Sequence, residues 1–192
     1  MPKLMTLKPI AVTLIGLILS FVSLHSAFAT DNAVNTATQS DDTYSLYLIR
    51  HAEKQIDKTD PALTNCGMQR SEQYAKDFKA ISLDAIYSSD YRRTQQTAAP
   101  TAKQKQLPIS SYDPKQLEAI AKQLLSNKQS ALVVGHSNTT GVLAGILTGQ
   151  KLTEFSEQEY DRVYVVEINN GQGTLTLTRQ KFNCANIQPL EK

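Results

Sequence analysis

The sequence predicts an α/β domain, a three-layer α/β/α sandwich around a mostly parallel central sheet. Three observations carry this. Short apolar runs alternate with amphipathic helical stretches from Tyr44 to Leu147, the pattern of a sheet covered on both faces. Near the C-terminus Asn169-Asn170-Gly171-Gln172-Gly173 separates two strand-like runs, which is a hairpin signal. The polar motifs fall just after predicted strands, where such sheets bind their ligands.

The first strand is Tyr44 to Arg50, followed by a loop with Asp60-Pro61 and a helix from about Gly67 to Lys79. Asp84 to Ser88 is the second strand, and the helix after it carries Gln95, Gln96 and Ala98 and should be interrupted near Pro100. Leu107 to Tyr112 is a weaker third strand. Asp113-Pro114 then opens a helix with Asp113 as N-cap and Leu117, Ile120, Ala121, Leu124 and Leu125 as its apolar stripe. Ala131 to Gly135 is a buried strand, and Asn138 to Leu147 a helix with Val142, Leu143, Ile146 and Leu147 on its apolar side. Arg162 to Ile168 and Thr174 to Arg179 are the hairpin strands.

Residues 1–29 read as a signal peptide. Lys3 and Lys8 precede the apolar run Ile10 to Leu24, which is short for a membrane span, and Ala27-Phe28-Ala29 has the small-x-small form of a cleavage site. The expectation is export to a periplasm or beyond, with a mature start at Thr30, a polar lead-in over 30–43 and one domain over 44–192. No stable membrane association is expected after cleavage. Two of the 20 lysines and arginines leave with the signal, so 18 remain against 18 acids. That balance gives no general attraction for nucleic acid, and any affinity for anions must be local. Cys66 and Cys184 both lie in the exported part, either as one disulfide or as two free thiols. No Cys-x-x-Cys pair and no histidine at helical spacing from another ligand suggests a metal site.

Of three histidines only His51 and His136 lie beyond residue 29. They sit in Leu48-Ile49-Arg50-His51-Ala52-Glu53 and Val133-Val134-Gly135-His136-Ser137-Asn138, and between them Ser88-Ser89-Asp90-Tyr91-Arg92-Arg93 brings arginines to a third strand end. Two imidazoles and two guanidiniums at one rim make a pocket for a phosphoryl group. A serine hydrolase built on Gly135-His136-Ser137-Asn138-Thr139 is disfavoured. Thr139 stands where the second glycine belongs, and no histidine follows Ser137 to act as base.

These motifs, with Leu63-Thr64, Gly67, Gln69 and Gln96-Thr97-Ala98, resemble the histidine phosphatase superfamily, the phosphoglycerate mutase-like proteins, over about Tyr44 to Val166 and in the form of a small exported bacterial-type member. The resemblance implies a metal-independent phosphomonoester hydrolase without cofactor. His51 would be the nucleophile that becomes a phosphohistidine, with Arg50, Arg93 and His136 on the non-bridging oxygens. Its partners would be a small phosphorylated substrate or a phosphoprotein. The family's usual glycine after the nucleophile is Ala52 here, Asp90 replaces a common proline, and Arg92 is expected as a solvated helix charge. Ser137 occupies the place where one branch of the family carries its acid. Asp113 is therefore the expected general acid, with Glu53 as runner-up. The alternatives are an exported phospho-ligand-binding protein without turnover and a phosphomutase. Substrate and oligomeric state are not readable from the sequence.

Overall fold

The computed structural model describes residues 42–56 and 59–184. The expected signal peptide, and the lead-in up to residue 41, lie outside the described residues. Strand β1 is Thr43–Arg50, α1 Asn65–Asp77, β2 Ala85–Ser89, α2 Arg92–Lys105, β3 Ile109–Tyr112, α3 Leu117–Asn127, β4 Ala131–Gly135, α4 Thr140–Thr148, β5 Arg162–Asn169 and β6 Gln172–Arg179. The sheet order is β3-β2-β4-β1-β5-β6. β1 to β4 are mutually parallel, β5 pairs antiparallel with β1, and β6 antiparallel with β5. This is the α/β/α sandwich that the alternation predicts.

Alternation along β1 explains the two layers. Tyr44, Leu46 and Leu48 join Val133, Tyr164 and Val166 in a core covered by Ile120, Ala121 and Leu124 of α3 and Leu143 and Leu147 of α4. Ile49 faces the other way, with Ile86, Leu132 and Val134, under Tyr74 of α1 and Ala98 and Ala102 of α2. Among the described residues no helix is long and apolar enough to cross a membrane.

Three local expectations are corrected. α2 runs unbroken through Pro100, which removes one backbone donor without breaking the helix. α3 begins at Leu117 with Gln116 as N-cap, so Asp113 does not cap it. Instead Asp113 folds into a turn, its carboxylate accepting the Lys115 backbone N–H at 2.9 Å and the Gln116 side-chain amide at 3.2 Å. The hairpin strands are longer than expected and meet at a two-residue turn, Asn170-Gly171, with φ of 50° and 81°. Positive φ at both positions is what the twist of a tight hairpin requires.

Candidate active site

β1 and β4 lie side by side, yet β1 connects through α1 to β2 on the far side of β4. Such a switch leaves a crevice at the carboxyl ends of the strands, and Arg50-His51 and Gly135-His136 stand there together. The His51 backbone N–H donates to the Gly135 carbonyl at 2.9 Å, which locks the two strand ends. A Cβ on Gly135 would lie 2.8 Å from Tyr112 Oη and 2.9 Å from Thr139 Oγ1, so only glycine fits before His136.

The loop carrying His51 is held by the surrounding motif residues. The Ala52 N–H donates to Thr97 Oγ1 at 3.0 Å, and Thr97 Oγ1 donates to the Arg93 carbonyl at 2.8 Å. The Glu53 carbonyl accepts the Thr64 N–H at 2.8 Å, and Gly67 packs so closely on it that a Cβ would come within 2.2 Å. Thr64 caps α1 by accepting the Gly67 N–H at 3.1 Å, and Gln96 Oε1 accepts the Leu63 N–H at 2.8 Å. Thr64, Gly67, Gln96 and Thr97 thus build one scaffold under the nucleophile candidate.

His51 is 2% exposed, and its Nδ1 lies 2.8 Å from the Ala52 carbonyl. A carbonyl only accepts, so Nδ1 carries the hydrogen and Nε2 keeps its lone pair. Burial pulls the His51 pKa down to about 2; the Ala52 carbonyl opposes this, and Arg50, His136 and Arg93 add to it. The His136 ring centroid is 5.4 Å from that of His51. Burial first, then Arg93 and Arg50, bring its pKa down to about 4. Both rings are therefore neutral at pH 7.

Arg93 Nη2 lies 3.3 Å from His136 Nδ1, and its guanidinium stacks on Tyr91 at 4.5 Å. Asp60, which the sequence marks only as a loop residue, approaches Arg93 Nη1 at 3.6 Å and accepts the Arg92 backbone N–H at 3.0 Å. It supplies from a distance the carboxylate that α2 lacks at its own N-cap. The Arg92 side chain is exposed, as expected. Arg50, 1% exposed, stacks on Tyr160 at 4.2 Å, and its Nη1 donates to the carbonyls of Glu157 at 2.7 Å and Glu159 at 3.2 Å. Among the described residues the buried Nε atoms of Arg50 and Arg93 have no hydrogen-bond partner. Orphaned buried donors are rare and point to an absent acceptor.

A cavity of about 580 Å³ opens over these groups. His51, Arg93 and His136 are on its wall with Lys54, Lys115, Phe155 and the acids Glu154 and Glu157, whereas Arg50 lies behind the wall. Asp113 is exposed and lines two neighbouring hollows. Glu53 is bound to Arg70, with Nε at 3.0 Å and Nη2 at 2.6 Å. Arg70 also donates to Gln180 at 3.0 Å, and Cys66 is bonded to Cys184, so the C-terminal segment is tied to α1. Glu53, Cys66 and Cys184 bring three ligand-type atoms within 4.8 Å of one another, but the two sulfurs are bonded together and offer no thiolate.

Residues 46–114 match the model of the histidine phosphatase superfamily (branch 1). Over that stretch, a little over a third of the chain, the sequence is similar to that superfamily. The match ends before His136, which the fold itself delivers to the site. The structure is similar to the alpha-ribazole phosphatase from Shigella flexneri (17% identity, 71% of this chain and 96% of that chain, TM-score 0.61). It is also similar to the protein histidine phosphatase SixA complexed with tungstate (19% identity, 70% and 96%, TM-score 0.60). A third likeness is to a phosphoserine phosphatase from Entamoeba histolytica in complex with 3-phosphoglyceric acid (18% identity, 72% and 98%, TM-score 0.56). At these identities the likeness is one of fold. No curated protein sequence matches the chain significantly.

Proposed function

We propose that the chain hydrolyses phosphomonoesters through a phosphohistidine on His51. The observation that carries this reading is a buried, neutral His51, its Nδ1–H pinned to the Ala52 carbonyl, beside two arginines whose Nε donors lack an acceptor. The phosphoryl oxygens are the acceptors that Arg50 and Arg93 lack, and the planar guanidinium suits them. Nε2 of His51 attacks phosphorus as the ester P–O bond breaks, and the electron pair leaves on the ester oxygen. Water then attacks the phosphohistidine and gives one proton back to the group that protonated the leaving oxygen, while the P–N bond breaks with its electron pair on Nε2 and His51 returns to its neutral form.

The departing ester oxygen needs a proton, and we assign its donor to Glu157. Asp113 and Glu53, the donors that chain order suggests, are engaged elsewhere, Asp113 in its turn and Glu53 with Arg70. Glu157 is on the cavity wall, and its backbone carbonyl is held by Arg50. The related folds carry names that point to quite different phosphate compounds, so the substrate class stays broad: a small phosphorylated molecule or a phosphoprotein. Export after removal of residues 1–29 is part of this proposal, supported by the Cys66 to Cys184 disulfide, which suits an oxidising compartment.

The test is turnover by the purified mature protein, in chelator, against a panel of phosphate esters that includes phosphohistidine and phosphoserine. His51→Ala should abolish turnover. Binding of phosphate compounds without turnover of any would favour the phospho-ligand-binding alternative.

A further inference from the structure

His136 stands between two hydrogen-bonded partners whose directions are fixed by chemistry. On one side Arg93 Nη2 lies 3.3 Å from Nδ1; a guanidinium only donates, so Nδ1 holds a lone pair. On the other side the chain is worked back from its end. Thr94 Oγ1 lies 2.7 Å from the Ser89 carbonyl and 2.8 Å from the Tyr91 carbonyl, and carbonyls only accept, so the Thr94 hydroxyl hydrogen goes to them. Thr94 Oγ1 must then accept from Ser89 Oγ at 3.1 Å. That uses the single hydrogen of Ser89, so at the 2.9 Å contact Ser89 Oγ accepts and His136 Nε2 donates. Both ends give the same tautomer. Ser89 and Thr94 are fully buried, so solvent does not compete for these bonds.

We propose that Ser89 is a positioning residue that holds His136 in its Nε2–H form, so that a dianionic oxyanion in the cavity engages His136 only as one proton is taken up at Nδ1. The proposal rests on the phosphoryl-site reading. A lone pair aimed at an oxyanion repels it, whereas an Nδ1–H donates to it. The Ser89-Thr94 chain cannot supply that hydrogen, because it ends on carbonyls. The proton comes from solvent, and the product is an imidazolium with Nδ1–H on the oxyanion and Nε2–H on Ser89. Arg50 from β1 and Arg93 from α2 face the ring as cations, and they disfavour its charged form in the empty site. His51 and the Tyr91 ring edge, at 5.4 and 5.1 Å, complete its surroundings, and Lys115, Glu154 and Glu157 share the cavity. A dianion held by the two arginines offsets their charge and raises the affinity of Nδ1 for a proton.

The probe is tungstate, a dianion across the neutral range, titrated calorimetrically into the mature protein in two buffers of different ionisation enthalpy. Uptake of about one proton per tungstate is expected, with affinity falling about tenfold per pH unit above neutrality. The uptake should vanish in His136→Gln and persist in His51→Ala. Without ligand, nitrogen NMR should show His136 with a pyridine-like Nδ1 and a pyrrole-like Nε2. Ser89→Ala should mix the two tautomers and weaken tungstate binding at pH 7 by about tenfold, the loss of one buried hydrogen bond, with Ser89→Thr restoring both. Tungstate binding without proton uptake, or an Nδ1–H tautomer in the unsubstituted protein, overturns the proposal. Failure of tungstate to bind at all overturns the phosphoryl-site reading instead, and the NMR result still decides the role of Ser89.

Discussion

Replacing Thr97 by Val tests whether α2 holds the loop that carries His51. Valine keeps the shape of threonine and the helix, but it removes the oxygen that accepts the Ala52 N–H at 3.0 Å. Thr97 and Ala52 are both fully buried, so water cannot replace the lost partner. The Arg93 carbonyl, which also accepts from Thr97 Oγ1, sits inside α2 and keeps its helical bond, so one stranded donor is the whole change. Leaving one buried donor unsatisfied costs about 1–3 kcal/mol. For a domain of this size that lowers Tm by about 2–12 °C. Because the Ala52 carbonyl orients His51 through Nδ1, kcat should fall further than KM rises. The assays are thermal unfolding by circular dichroism and hydrolysis of an activated phosphate ester, with Thr97→Ser as the control that keeps the oxygen. A Thr97→Val protein that melts within about 1 °C of the parent and turns over at its rate would refute the reasoning.

The other predictions concern the proton donor, the tether and acid stability. Glu157→Gln should lose much more activity on an alkyl phosphate than on nitrophenyl phosphate, whose leaving group departs without a proton; a Glu157→Gln enzyme with parental rates on both esters, beside a selective loss in Asp113→Asn or Glu53→Gln, would move the role to that residue. Replacing both Cys66 and Cys184 by Ser opens a link across a sequence separation of 118 and should lower the unfolding free energy by about 2–4 kcal/mol, read from urea midpoints. His51 and His136 are held neutral in the fold, at pKa values of about 2 and about 4, whereas the unfolded chain protonates near its ordinary value. Their contribution to stability is therefore complete above about pH 6.5 and is lost as pH falls below it, by about 2 kcal/mol for each histidine between pH 6.5 and 5. The midpoint of His51→Gln/His136→Gln should fall less across that interval, and an equally steep fall would count against buried neutral histidines.

Strand ends were the legible part of this chain. The apolar runs locate β1, β2 and β4 within a residue, because β4 is an unbroken Ala-Leu-Val-Val stretch and β1 and β2 each hold a short apolar centre, Leu46 to Ile49 and Ala85 to Tyr87, and the polar residues just after them mark the rim. His51, Arg93 and His136 meet there because the strand order sets β2, β4 and β1 side by side, an order that the alternation alone does not specify. Helix starts were less legible. Asp113-Pro114 has the composition of a helix entrance, but the same carboxylate can close a turn on Lys115 and Gln116, and the turn wins. Asp60 was invisible for a different reason: its partner, the N-terminus of α2, is distant in sequence and has no motif that calls for a carboxylate.

The segment from Gln150 to Asp161 shows where sequence reading stops. It has no strand, no helix and no period, so nothing in it announces a site, yet it places Glu154, Phe155 and Glu157 on the cavity wall. Arg50 is central among the groups that hold it, its Nη1 gathering the Glu157 and Glu159 carbonyls while its face stacks on Tyr160, beside the Phe155 N–H to Ser137 carbonyl and Tyr74 to Tyr160 carbonyl bonds. One side of Arg50 thus organises the loop, and the other keeps an orphaned Nε. A phosphoryl group that binds this Nε therefore binds the residue that anchors the loop carrying Glu157. Arg50→Lys would keep the charge but cannot bridge both partners, since an ammonium has no planar fork. The expected outcome is a loss in kcat as well as in KM, with greater protease sensitivity at 150–161. A Lys variant that changed KM alone would show that Arg50 serves the phosphate without organising the loop.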